Sequence, residues 1–135
     1  MLSSVAGKPS SKYSNERPST YVRSVIDTLW TPFWPEPPFP AFPSGHSTQS
    51  AATATVLTSL YGDNFSFTDH THEGATRFPF FEPMLPRTYL NFWESAEESG
   101  RSRLLGGIHT QQDNEIGLQE GKKIGDNINN ILWGR

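Results

Sequence analysis

A proline-rich stretch from residue 31 to residue 43 constrains the fold more than any other part of the sequence. Proline recurs six times in these thirteen residues, so the stretch can form neither a helix nor a central strand. Its interleaved aromatic residues, Phe33, Trp34, Phe39 and Phe42, are too apolar for a free linker. We therefore predict an extended segment that lies across the helices. A proline-rich ligand for another domain is the alternative, which the aromatic residues disfavour.

Apolar spacings of three and four predict helices on both sides of this stretch. The predicted helices span residues 19–30, 47–60, 88–105 and 113 to 131 or 132. Residues 63–87 are predicted to form a long loop, and residues 1–18 a loose lead-in rich in Ser, Pro and Lys. The sequence therefore predicts an all-α fold, a bundle of about four helices with long irregular loops.

The last predicted helix has two distinct faces. Its isoleucines are predicted to point inward, at positions Ile116, Ile124, Ile128 and Ile131. A second face is nearly bare because glycines recur every four residues, at Gly117, Gly121 and Gly125. Each glycine costs about 1 kcal/mol relative to alanine in a helix, so we expect another helix to pack closely there.

Composition excludes several classes of function. The chain of 135 residues suits a single domain, its net charge is −3, and its eleven Lys and Arg form no run, so nucleic acid is a poor partner. The absence of cysteine excludes disulfides, zinc-thiolate sites and thiol catalysis. No window approaches the roughly 18 apolar residues of a membrane span. The first residues lack the pattern of a signal peptide.

The first group of candidate site residues lies between positions 102 and 113. Arg103 falls on the inner stripe of the preceding helix, where a buried guanidinium needs a carboxylate or a bound oxyanion. Gly106 and Gly107 would let the backbone approach an anion beside His109. Asp113 would fix the tautomer of His109, leaving its other nitrogen as a nucleophile or metal ligand. The alternative is a helix end with a solvated His109 and Asp113 as N-cap.

Two further segments carry candidates. Ser44 and Gly45 stand at the start of the helix at 47–60, where free N–H groups and the helix dipole favour an anion, although Ser44 as a plain N-cap is the alternative. His46 follows them in the first turn. Lys12 and Arg17 supply cations in the lead-in, unless that segment is merely solvated. A divalent-metal site in the loop, from Asp69, His70, His72 and Glu73, is a weaker alternative.

Together these residues predict a positively charged cup for a tetrahedral or trigonal-bipyramidal oxyanion. One histidine would bond to its central atom while the other moves protons. In chain order the motifs are Lys12 with Arg17-Pro18, then Pro-Ser-Gly-His at 43–46, then Ser102-Arg103, five residues, His109, three residues and Asp113. The pattern resembles the vanadium-dependent haloperoxidase and type 2 phosphatidic acid phosphatase superfamily, and bacterial haloperoxidase-like members in particular. The family has six residues between lysine and arginine, whereas four separate Lys12 from Arg17.

The resemblance implies a role for each of these residues. His109, oriented by Asp113, would coordinate vanadate. His46 would act as the acid–base. The vanadate oxygens would be bound by Lys12, Arg17, Ser44, the Gly45 amide and Arg103.

The activity implied is the oxidation of halide by hydrogen peroxide to hypohalous acid. A soluble acid phosphatase would use the same residues on a phosphate monoester, with a phosphohistidine at His109. A third reading is an inactive fragment. The resemblance covers residues 12–132 and only the C-terminal portion of larger family members, so residues 1–135 are expected to be a single, partial domain with an exposed apolar helix face. Homo-oligomerisation and export of a full-length form are left open.

Overall fold

Four helices form the framework of the computed structural model, which describes residues 15–76 and 82–131. Helix α1 is short and continues into a π-helical segment, and two short strands lie between α2 and α3. The elements are α1 (Pro18–Tyr21), the π-helical segment (Val22–Ile26), α2 (Gly45–Tyr61), β1 (Phe67–Asp69), β2 (Arg87–Tyr89), α3 (Phe92–Leu105) and α4 (Gln111–Asn129). The predicted all-α helical bundle with irregular connections is confirmed.

The contact between α2 and α4 is the closest in the bundle, and glycine makes it possible. A Cβ atom at Gly121 would lie 2.2 Å from the carbonyl oxygen of Thr48, and one at Gly117 would lie 2.7 Å from that of Ser44. At Gly125 a Cβ would lie 2.5 Å from Thr55. The prediction that the bare glycine face receives another helix is confirmed, and that helix is α2.

The isoleucine face of α4 does not follow the prediction. Ile124 is 45% exposed and Ile131 is 53% exposed, while Ile116 and Ile128 are half-buried. The inward orientation predicted for Ile124 and Ile131 is therefore wrong. The reason is that α2 meets the glycine face, which turns much of the isoleucine face away from the bundle.

The core consists mostly of small side chains. The buried apolar residues in the described part of the chain are Ala41, Ala51, Ala54, Tyr89, Ala96 and Ile108. Helix α3 follows the same principle where it crosses α2, because Gly100 is buried and a Cβ there would lie 3.0 Å from Ser47 Oγ. Small residues thus let three helix backbones approach one another.

The proline-rich stretch is extended and lies across the end of α3, as predicted. The backbone N–H of Trp34 donates to the carbonyl of Gly106 over 3.1 Å. A Cβ at Gly106 would overlap the Trp34 ring at 1.6 Å, and Gly107, with φ +74°, faces Trp30. The two glycines therefore admit tryptophan rings, and their predicted use as a wall for an anion is wrong.

The first predicted helix is shorter than expected and its apolar residues are not buried. Helix α1 and the π-helical segment together end at Ile26, because Asp27 is extended and its Oδ1 accepts from Leu29 N over 2.9 Å. Val25 is 62% exposed, Ile26 70% and Leu29 87%. The predicted apolar face is therefore largely exposed, and only Val22 on it is half-buried.

The predicted loop at 63–87 contains a strand pair, which the sequence reading missed. Strands β1 and β2 are antiparallel, with Phe67 opposite Tyr89. Strand β1 lies against Phe92, whose ring centroid is 5.4 Å from that of Phe67, and Tyr89 of β2 donates its hydroxyl to Glu98 of α3. Strands of three residues each are too short to show alternation. Consequently α3 begins at Phe92 rather than at 88, after Asn91, whose side chain accepts from Glu94 N over 2.8 Å.

Candidate functional site

The candidate site lies where α2 and α4 begin, beside the turn that leaves α3. Ser44 caps α2 and is fully buried, and its backbone N–H donates to the carbonyl of Asp113 over 2.9 Å. This bond ties the first turn of α4 to the start of α2. Two of the three predicted motifs are therefore joined directly through their backbones.

His109 occupies the middle of this junction. Its side chain has no exposed surface, and neither ring nitrogen has a hydrogen-bond partner in the described chain. Nδ1 lies 3.6 Å from Asp113 Oδ2, which is longer than a hydrogen bond. An unpartnered buried polar ring is costly, so the two nitrogens are the strongest sign that this position takes a ligand.

Electrostatics keep the His109 ring neutral. Burial lowers its pKa from 6.5, and the Arg17 charge lowers it further, while Asp113 and the nearby Ala41 carbonyl oppose the shift. A neutral imidazole keeps a lone pair. The ring can therefore act as a nucleophile or as a ligand of an electrophilic centre.

Asp113 belongs to a capping box rather than being the N-cap. Thr110 is the N-cap of α4, and its hydroxyl accepts from Asp113 N over 3.2 Å. Asp113 Oδ2 accepts in return from Thr110 N over 2.8 Å. The other carboxylate oxygen, Oδ1, has no partner in the described chain. The Thr-x-x-Asp spacing is a recognisable signal for this box, and reading Asp113 as the cap overlooked it.

Arg17 reaches the junction from the start of α1. Its Nη1 donates to the carbonyl of Ile108 and its Nη2 to that of Phe39, each over 2.8 Å. Burial lowers its pKa, and the charges of Glu36 and Asp113 oppose that shift. An arginine remains cationic in any case. A fixed positive charge therefore lies next to the residue that precedes His109.

Arg103 and His46 form the more exposed side of the junction. Arg103 is half-buried in the last turn of α3, with its guanidinium 5.2 Å from the Trp34 ring centre and its Nε donating to Ser102 Oγ over 3.0 Å. His46 is exposed in the first turn of α2. Burial and then the Arg103 charge lower the pKa of His46. The second histidine is therefore also biased toward its neutral form.

Gly45 opens the N-terminus of α2 to a ligand. The residue is exposed, and a Cβ built on it would meet no atom within 4 Å. The first N–H groups of a helix lack intrahelical partners and favour anions. This space beside the start of α2 is therefore suited to an oxyanion.

Two further predictions concern residues that the structure does not place at this junction. Lys12 lies outside the described residues. The alternative metal site in the loop gains no support, because His70 Nδ1 pairs with Glu73 Oε2 over 2.7 Å, and residues 15–76 and 82–131 contain no group of three potential ligands arranged for a metal ion.

The structure adds three residues that the sequence reading missed. Trp34 covers the Arg103 guanidinium. Ser47 is fully buried and its hydroxyl lies 3.0 Å from that of Ser44, and Asn114 continues the contact from α4. Ser47 stands three positions after Ser44, where the backbone N–H usually donates to the side chain of the N-cap residue. Asn114 stands three positions before Gly117, on the glycine face of α4. These two spacings are the signals by which the sequence could have revealed both residues.

Fold and site together define a helical-bundle domain with a buried imidazole at a cationic helix junction. The family described as the VCPO second helical-bundle domain matches residues 15–132, which is most of the chain. The chain belongs to this family, and with it to the vanadium haloperoxidase-like superfamily. The resemblance stated from the motifs is thereby confirmed.

Solved structures agree with this assignment. A bacterial vanadium-dependent iodoperoxidase is 39% identical, with a TM-score of 0.72 over 84% of this chain and 26% of its own. A holo-type bacterial vanadium-dependent chloroperoxidase shares the fold at 20% identity, with a TM-score of 0.66 over 82% of this chain and 28% of its own. An apo-type bacterial chloroperoxidase also shares the fold at 22% identity, with a TM-score of 0.62 over 74% of this chain and 23% of its own.

The chain spans about a quarter of the length of these three structures. No curated protein matches it. Within residues 15–76 and 82–131, every helix is too short or too polar to cross a bilayer.

Proposed function

We propose that this chain carries the vanadate-binding site of a vanadium-dependent haloperoxidase, an enzyme that oxidises halide with hydrogen peroxide to hypohalous acid. The observation that supports this most is His109, fully buried with both ring nitrogens unpartnered in the described chain. Family membership and 39% identity to a vanadium-dependent iodoperoxidase support the choice of vanadate as ligand.

The residues of the junction suit vanadate in their chemistry. The neutral His109 ring offers a nitrogen lone pair to the metal. The oxygens would lie among Arg17, Arg103, the Ser44 hydroxyl and the Gly45 amide, with Lys12 as a further cation. When bound, vanadate supplies a Lewis acid that activates peroxide toward halide. Because the His109 ring has no exposed surface, binding at it requires the residues around the ring to shift.

Arg17 contributes a cation to the cup, and its guanidinium is held in a fixed orientation. Two of its N–H groups are held by the carbonyls of Phe39 and Ile108. These bonds fix the plane of the guanidinium, and the remaining N–H groups are left for oxyanion contacts. Its charge also lowers the pKa of His109, which keeps the ring in the form that binds a metal.

His46 moves the proton. Its exposed ring is accessible to peroxide from solvent, and its lowered pKa leaves an imidazole nitrogen free to accept a proton at neutral pH. After peroxide gives up this proton, the imidazolium holds it within the cup. When halide is oxidised, the O–O bond of peroxide breaks and one oxygen is transferred to the halide. The same nitrogen would return the proton to the other oxygen, which leaves at the level of water.

The test is an assay of the full chain with orthovanadate, hydrogen peroxide and iodide or bromide. We expect halide oxidation that requires vanadate, together with saturable orthovanadate binding by calorimetry. Hydrolysis of p-nitrophenyl phosphate without halide oxidation would replace the proposal with the phosphohistidine alternative. Failure to bind orthovanadate would contradict both the cofactor and the activity.

A further inference from the structure

Three buried polar side chains form a line from α4 through α2 to the candidate anion site. Ser44 and Ser47 are fully buried and Asn114 is 6% exposed. Ser47 Oγ lies 3.0 Å from Ser44 Oγ and 3.1 Å from Asn114 Oδ1. Asn114 Nδ2 is buried and has no partner in the described chain. The proposed chemistry uses only Ser44 of these three residues.

The number of available hydrogens shows that the hydrogen bonds along this line must all be donated in the same direction. A serine hydroxyl carries a single hydrogen, so Ser47 can donate to Ser44 or to Asn114 but not to both. The two ends of an asparagine amide have nearly the same shape. Asn114 can therefore present either its oxygen or its nitrogen to Ser47, and this choice sets the direction of the whole line.

The two directions have opposite consequences for Ser44. If the Asn114 oxygen faces Ser47, Ser47 donates to Asn114 and Ser44 donates to Ser47, so Ser44 has no hydrogen left for a ligand. If the Asn114 nitrogen faces Ser47, Nδ2 donates to Ser47, Ser47 donates to Ser44, and the Ser44 hydrogen points away from the line. The first direction leaves both N–H groups of the Asn114 amide unpartnered, whereas the second leaves one N–H and the amide oxygen. The second is less costly, because an unpartnered carbonyl is tolerated better than an unpartnered N–H.

We propose that Ser47 and Asn114 are positioning residues for the oxyanion: they orient the Ser44 hydroxyl as a donor toward vanadate through the line Asn114 Nδ2–H, Ser47 Oγ–H, Ser44 Oγ–H. The inference rests on the proposed function. Each donated hydrogen bond also polarises the next hydroxyl, which strengthens the last donor. Neither Ser47 nor Asn114 touches the ligand.

A double-mutant cycle on the 135-residue chain tests this, with the dissociation constant of orthovanadate from calorimetry as the readout. Ser44→Ala should raise the constant about tenfold by removing the donor, and Ser47→Ala should raise it about fivefold. In the Ser44→Ala background, Ser47→Ala should have no further effect, because Ser47 acts only through Ser44. Thermal melts identify the variants that are folded.

A merely structural role predicts a different result. Ser47→Ala would then weaken binding equally with or without Ser44, and this outcome overturns the inference. An unchanged dissociation constant in Ser44→Ala or in Ser47→Ala also overturns it. If the chain with Ser47→Ala does not fold, Asn114→Leu takes its place in the same cycle, with the same expected dependence on Ser44. Absence of orthovanadate binding by the unmodified chain would instead refute the proposed function.

Discussion

The contact between α2 and α4 and the segment from Tyr21 to Leu29 are built in opposite ways. The interhelical contact consists of glycine, alanine and serine, and beside it lie a histidine and an aspartate that are fully buried. The N-terminal segment carries large apolar side chains, and Leu29 is 87% exposed. At the α2–α4 contact, order thus comes from close backbone approach, whereas the large apolar side chains of the N-terminal segment stay exposed.

This difference explains where the site lies. Because glycine lets α4 approach α2, the first turns of both helices meet, and Ser44 N reaches the carbonyl of Asp113 over 2.9 Å. Polar groups that are costly to bury are then enclosed at the same junction. The close contact positions the site, whereas the large apolar side chains of the N-terminal segment stay exposed.

The largest effect is expected from His109→Ala. This variant tests whether the polar side chains buried beside the α2–α4 contact are functional. Vanadate-dependent halide oxidation should fall more than about a thousandfold, because the group that bonds the metal is lost. His70→Ala, at an exposed histidine after β1, should stay within about twofold. Retained turnover in His109→Ala would place the chemistry elsewhere.

Gly121→Ala tests the close contact itself. The added Cβ would lie 2.2 Å from the Thr48 carbonyl oxygen, so the free energy of unfolding in urea should fall by about 2–3 kcal/mol. Lys122→Ala, on the exposed face of the same helix, should change it by less than about 0.5 kcal/mol. A gain of about 1 kcal/mol in Gly121→Ala, as helix propensity alone predicts, would refute the tight contact.

The pH dependence of stability sharpens the assignment of His109. Its folded pKa is lowered below 6.5, so below about pH 6.5 the unfolded chain binds a proton that the folded chain does not. Stability should therefore be complete above pH 6.5 and fall as the pH decreases, by at most about 1.4 kcal/mol per pH unit for this group. His109→Gln should show a smaller slope in urea titrations at several pH values. An unchanged slope would mean that His109 is not the buried neutral group.

The smallest effect is expected outside the helix contact. Leu29→Ser should change the free energy of unfolding by less than about 0.5 kcal/mol, because Leu29 is 87% exposed. Ile108→Ala, at a residue that is 2% exposed, should cost about 2–4 kcal/mol. A loss above about 1 kcal/mol in Leu29→Ser would show that the segment packs in solution, and the contrast between the two regions would fail.

Much of the fold could be predicted from the sequence because helix signals are local. The small-residue helix after Ser44 and the glycine spacing of α4 gave elements close to α2 and α4. The orientation of Ile124 could not be found in the same way, since periodicity shows that a face is apolar but not which neighbour covers it. Strands β1 and β2 were missed because each has only three residues.

The candidate site shows the same limit. Motif order grouped Ser44, His109 and Asp113, and the structure places them at one junction. Sequence reasoning did not find the pairing of Ser47 with Asn114, because these residues are 67 positions apart and meet only through the packing of α2 on α4. Local patterns therefore predict the residues of a motif, whereas long-range packing decides which residues orient them.

The most direct test of the central claim is a crystal structure of the chain grown with orthovanadate. We expect vanadate bonded to a ring nitrogen of His109, with its oxygens contacted by Arg17, Arg103 and the start of α2. Vanadate bound elsewhere, or His46 and His109 facing separate spaces with no shared anion, would contradict the account.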